Sequence, residues 1–115
     1  MRLPNSRSIR IEKQKIVEYL LNPTHRYGAS KARFFAQFGF GLDNWEILAE
    51  ALRDHARKSH AVLRMDTPFG PRFAVDGVLE TPSGERPRVR SVWQMDVGET
   101  SARLITVYPL EVEHD

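Results

Sequence analysis

A histidine and a lysine six residues apart, His25 and Lys31, lie across a turn in the stretch LNPTHRYGASKARFFAQF. An imidazole titrates near neutral pH and suits proton transfer, and a constrained turn keeps it accessible. Lys31, on the first turn of the following helix, can meet a phosphate where the helix end is positive. Further along, Arg88 and Arg90 have the planar fork that grips phosphate bidentately. Ser91 and Thr106 add hydroxyls that could hydrogen-bond a substrate. Each group has a plainer use as well. His25 could cap a backbone carbonyl or face solvent, Lys31 could be a solvated lysine, and the arginines could form surface ion pairs. The two hydroxyls could simply tie neighbouring strands together.

Several other chemistries are not expected. No G-x-S-x-G elbow surrounds Ser91, and no Walker loop, dinucleotide glycine fingerprint or calcium loop occurs. His55 and His60 are five apart, outside the i, i+4 spacing of helical zinc sites. His55 reads as an exposed helix residue, His60 as a helix-end residue and His114 as a tail residue. No cofactor is expected. The chain has no cysteine, which excludes disulfides and thiol nucleophiles.

The elements that must position these groups follow from periodicity. Ile16, Val17, Leu20 and Leu21 recur at helical spacing, predicting a first helix over Ile9 to Leu21 that stops before Pro23. Gly28 permits a sharp entry into a second helix, Ala29 to Phe38, whose Phe34, Phe35 and Phe38 read as core rather than as a base-stacking surface. Asp43 and Glu46 resemble a capping box ahead of a third helix. Along that helix Trp45, Leu48, Ala49, Leu52 and Ala56 form one apolar stripe ending near Ser59. After His60 four short β-like runs follow, Ala61 to Met65, Phe73 to Glu80, Arg88 to Met95 and Ala102 to Tyr108, separated by turn residues. The expected fold class is therefore α+β, with three N-terminal helices (about residues 9–59) and a four-stranded antiparallel meander (about 61–109). All 115 residues are expected to form a single domain. A two-residue turn at Gly98-Glu99 would pair Trp93 with Leu104, Ser91 with Thr106 and Val89 with Tyr108 on one face. Arg88 and Arg90 would then point to the other.

A formal charge of +2 gives no strong argument for nonspecific nucleic-acid binding. Basic clusters at Arg7 to Lys15 and Arg86 to Arg90 read as solvated faces. No signal-like apolar segment and no run of about 20 apolar residues is present, so a cytoplasmic protein without membrane contact is expected.

LLNPTHRYGASKARFF and the pair RVRSVWQM and ARLITVYP together resemble an uncharacterised family of short bacterial proteins. The family is also seen as end domains of larger toxin-like proteins. The fold this implies is similar to the barnase, EndoU, colicin and RelE class of ribonucleases. The resemblance implies metal-independent RNA cleavage through attack of a 2′-hydroxyl, leaving a cyclic phosphate, by a toxin held in check by a small antitoxin-like protein. Carried onto matching positions, it implies a site of His25, Lys31, Arg90, Ser91, Thr106 and Tyr108. The competing expectation is a non-catalytic interaction module, such as an antitoxin or immunity protein, with an exposed apolar patch near Phe69 or the final strand edge. One conflict is internal: the expected register sets Arg90 on the face opposite Ser91 and Thr106.

Overall fold

Alternating residues after His60 build an antiparallel sheet in the order β1 (Ala61–Thr67), β2 (Gly70–Val78), β3 (Arg88–Gln94) and β4 (Arg103–Pro109). The structure is a computed structural model that describes residues 1–110, so His114 lies outside the described residues. Helices α1 (Ala29–Ala36) and α2 (Trp45–Lys58) precede the sheet, and the fold is α+β.

One face of the sheet is the core face. Phe73 and Val75 of β2, Val89 and Trp93 of β3, and Leu104 and Val107 of β4 are buried there. They join one cluster with Leu48, Leu52 and Ala56 from α2 and Phe35 from α1. Burying each large side chain of this kind contributes roughly 1.5–3 kcal/mol, so the apolar stripe of α2 fixes that helix on the sheet. Phe34 and Phe38 pack against the same cluster, in line with their reading as core.

The segment before α1 departs from expectation. Ile9 and Arg10 are extended instead of helical, and Arg10 bridges Arg103 in parallel fashion. Arg10 donates its N–H to the Ala102 carbonyl (2.8 Å) and accepts from the Leu104 N–H (3.0 Å). Ile9 is buried, Arg10 exposed and Ile11 half-buried, a two-residue alternation that suits a strand edge. After a 3-10 turn at Ser6–Ser8, helical winding begins at Lys13 and continues as a π-helical segment, Lys15–Leu20, closed by the Leu21 N–H on the Ile16 carbonyl at 2.8 Å. The wider turn lets Ile16, Leu20 and Leu21 all face inward.

Smaller differences concern helix ends. The second helix closes at Ala36, followed by a turn in which Gly39 adopts φ +94°, a conformation other residues rarely take. The Asp43–Glu46 capping box does not form. Instead the Asn44 Oδ1 accepts from the Gly41 N–H (2.7 Å), and its Nδ2 donates to the Gly39 carbonyl (3.0 Å). No helix among the described residues is long and apolar enough to cross a membrane.

Candidate functional site

Strand β4 decides which side chains meet. Trp93 pairs with Leu104 as expected, but the register shifts at the next step, so that Val92 pairs with Thr106, Ser91 with Val107 and Arg90 with Tyr108. Ile105 is the extra residue, a β-bulge that no turn signal marks. The expected Ser91–Thr106 and Val89–Tyr108 pairs are therefore corrected. A one-residue slip moves every following side chain to the other face. Arg90, Thr106 and Tyr108 thus share the outward face, Ser91 points into the core, and the conflict over Arg90 disappears.

The π-helical segment brings Tyr19 to this outward rim, where its hydroxyl lies 3.0 Å from the Thr106 hydroxyl. His25 packs edge-on against the Tyr19 ring with centroids 5.0 Å apart. Gly28 makes the close approach possible. Its φ of −96° is ordinary, but a Cβ there would collide with the Tyr19 carbonyl. The glycine is needed for space, not for a special backbone angle.

His25 is held by the backbone. Its Nδ1 accepts the N–H groups of Tyr27 (2.9 Å) and Gly28 (3.0 Å), donors that the start of α1 leaves unpaired. A ring nitrogen that accepts carries no hydrogen, so Nε2 is the N–H donor of this ring. His25 does cap, but it caps amide donors and not a carbonyl. To serve as a proton acceptor the ring must first release one of these partners.

Lys31 reaches the same strand two residues further on. Its ammonium sits 5.6 Å from the centroid of the Tyr108 ring, a cation–π contact. Residues i and i+2 of a strand share a face about 7 Å apart, so Lys31, at Tyr108, and His25, by way of the Tyr19 ring beside Thr106, approach neighbouring positions of β4. Beside Tyr108, Arg90 forms a bidentate pair with Asp76 at 2.6 and 2.8 Å. The Asp76 carboxylate, together with the Tyr108 hydroxyl, raises the Arg90 pKa. Arg90 in turn lowers that of Asp76. Arg90 thus takes the ion-pair use foreseen as its alternative, while Arg86 pairs with Glu80 and Arg103 with Asp96.

Ser91 belongs to a different arrangement. It is wholly buried, its Oγ 2.8 Å from His55 Nε2 and 2.8 Å from Trp93 Nε1. An indole N–H can only donate, so Ser91 Oγ accepts from Trp93; the Val78 carbonyl can only accept, so in the neutral ring Nδ1 carries the hydrogen and Ser91 donates its O–H to His55 Nε2. The His55 Nδ1–H then donates to the Val78 carbonyl at 3.3 Å. All polar groups are satisfied, and burial lowers the His55 pKa from its ordinary 6.5. Ser91 is enclosed, and His55 is a core residue, not an exposed one, although it lines a small cavity of about 120 Å³ with Asp54, Lys58 and Gly77. Its place was readable: His55 falls three residues after Leu52 and seven after Leu48, on the apolar stripe.

Two further contributors went unnoticed in the sequence, Tyr19 and Lys15. With His25, Tyr27, Ile105 and Thr106 they line a cleft of about 490 Å³ between the π-helical segment and β4. A larger cleft of about 700 Å³ lies beside α1 and the loop to α2, but Arg33 and Asp43 are its only charged groups. Among the described residues no cluster of three metal-ligating side chains occurs.

A family model described as a domain of unknown function (DUF6883) matches residues 2–111. No curated protein matches the chain. Among solved structures, a chain of a contact-dependent growth inhibition toxin–immunity protein complex from Klebsiella pneumoniae 342 is similar, with a TM-score of 0.70 at 17% identity. The similarity covers 87% of this chain and 98% of that one, and at such low identity it speaks for the shared fold alone.

Proposed function

We propose that this chain, which belongs to the DUF6883 family, is a toxin-type endoribonuclease that cleaves RNA by 2′-hydroxyl attack and is neutralised by a small partner protein. One observation carries the reading: Arg90 shares the outward face of the sheet with Thr106 and Tyr108, the Lys31 ammonium lies over the Tyr108 ring, and His25 packs on the tyrosine whose hydroxyl meets Thr106. The fold shared with a chain of a toxin–immunity complex supports the toxin context and the partner.

In this reading Lys31 and Arg90 stabilise the negative charge that builds on the nonbridging phosphoryl oxygens. The Asp76 carboxylate fixes the plane of the Arg90 fork and leaves part of it facing outward. Thr106 and Tyr108 orient the phosphate and the attacking hydroxyl. The 2′-oxygen bonds to phosphorus as the bond to the 5′-oxygen breaks; the 2′-hydroxyl proton leaves and the 5′-oxygen gains one. In this reading His25 moves that proton, once substrate displaces the Tyr27 or Gly28 amide from Nδ1. Ser91 takes no part, because it is enclosed in the core. Purified protein incubated with RNA in EDTA should cleave it to cyclic-phosphate ends, and His25→Ala and Lys31→Ala should not. No cleavage above these folded variants overturns the reading.

A second reading, a non-catalytic module of the immunity or antitoxin kind, is favoured by β1. Leu63 (60% exposed), Met65 (49%) and Phe69 (74%) form apolar surface along that edge strand and its turn. It predicts no RNA cleavage together with protection of cells from a cognate toxin.

A further inference from the structure

We infer that the cleft between the π-helical segment and β4 is a nucleoside subsite, in which a single-stranded base stacks on Tyr27 next to the phosphate held by Lys31 and Arg90. The inference rests on the ribonuclease reading and adds the form of substrate it takes. Tyr27 is 67% exposed, an aromatic ring left in solvent at the edge of a cleft. Three rings line that cleft, those of Tyr19, His25 and Tyr27, with His25 and Tyr27 centroids 6.2 Å apart. Arg26 lies over Tyr27 at 5.3 Å and Lys15 over Tyr19 at 5.2 Å, so each tyrosine carries its own cation. Exposed rings interleaved with cations suit unpaired nucleotides, because every base has a face to stack and a phosphate to neutralise. The Tyr19–Thr106 hydroxyl pair uses one of its two protons internally and keeps the other for a base edge. A volume of about 490 Å³ is within the range of small-ligand sites and admits one nucleoside. Bases inside a duplex cannot enter, so the substrate is a loop, bulge or unpaired end.

The test separates this subsite from the parent reading by using an oligonucleotide that cannot be cleaved. A short 2′-O-methyl RNA has no free 2′-hydroxyl, so its affinity, read by fluorescence anisotropy, reports binding alone. Tyr27→Ala should weaken binding roughly tenfold, the order of one lost base stack, while Tyr27→Phe keeps wild-type affinity. Removing single bases from the oligonucleotide in turn should reproduce that loss at one position, and there Tyr27→Ala should add nothing. Equal binding by wild type and Tyr27→Ala, or indifference to every abasic position, overturns the subsite, even if Tyr27 matters to a protein partner. Cleavage of natural RNA with Tyr27-independent KM leaves the parent reading standing without the subsite. Tyr27-dependent binding with no cleavage leaves the subsite standing and removes the parent.

Discussion

Ser91 and Thr106 point to opposite faces of the sheet, separated by the bulge at Ile105. One hydroxyl is sealed beneath α2 and the other faces the outward rim with Tyr19. Substituting them should therefore have opposite consequences. Ser91→Ala leaves the Trp93 indole N–H without an acceptor and should cost about 1–3 kcal/mol in urea unfolding. RNA cleavage by the variant, measured where it is folded, should stay near wild type. Thr106→Val should change stability by less than about 1 kcal/mol and lower cleavage.

The buried His55 makes stability depend on pH in a defined direction. Burial lowers its folded pKa below 6.5, so the unfolded chain takes up the proton first. The contribution is complete above 6.5 and is lost as pH falls through the lower folded value. Urea midpoints should be flat from about pH 7 upward and decline below about 6.5. His55→Gln should lack most of that decline, though it will be less stable at neutral pH. Asp76 and Asp96, lowered by Arg90 and Arg103, act in a separate window, losing their contribution as pH falls below 3.8.

Two cations are assigned to phosphate, and counterion release counts them. Lys31→Ala and Arg90→Gln should each reduce the slope of log affinity against log salt by roughly 0.7 for single-stranded RNA. Arg88→Gln should leave cleavage intact, since Arg88 is exposed and pairs across from Val78 at the far end of β2. Arg90→Lys should not restore cleavage, because an ammonium cannot form the bidentate contact with Asp76.

Gly28 carries more than a turn. An added Cβ would strike the Tyr19 carbonyl, and the Gly28 N–H is one of the two that hold His25. Gly28→Ala should cost about 1–3 kcal/mol as overpacking. It should also loosen His25, visible as a changed imidazole 15N pattern in NMR spectra, and depress cleavage further than lost stability explains.

Much of this architecture is legible in the chain. The apolar stripe of α2 and the period-two runs after His60 are strong signals, because each places a continuous apolar face on one core. What is missed are features created by contact between distant segments. Ile9 and Ile11 look helical beside Ile16 and Leu20, yet the edge of β4 offers Arg10 two hydrogen bonds and draws it straight. Ile105 resembles any strand residue, and nothing local marks it as surplus, so the hairpin count runs one residue out. The outward grouping of Arg90 with Thr106 and Tyr108 follows only from that bulge. His25 and Lys31 were visible as candidates from the turn itself, whereas the amide pair on Nδ1 needed coordinates.

The strand-like bridge from Arg10 has a bearing on how copies of this protein can associate. It occupies main-chain groups along the start of β4, and the helical segments pack on the remainder of that strand. Among the described residues, the opposite margin of the sheet, β1, has no strand beside it and can accept one. Two molecules joined there by a twofold axis would pair β1 with β1 and close that margin in both.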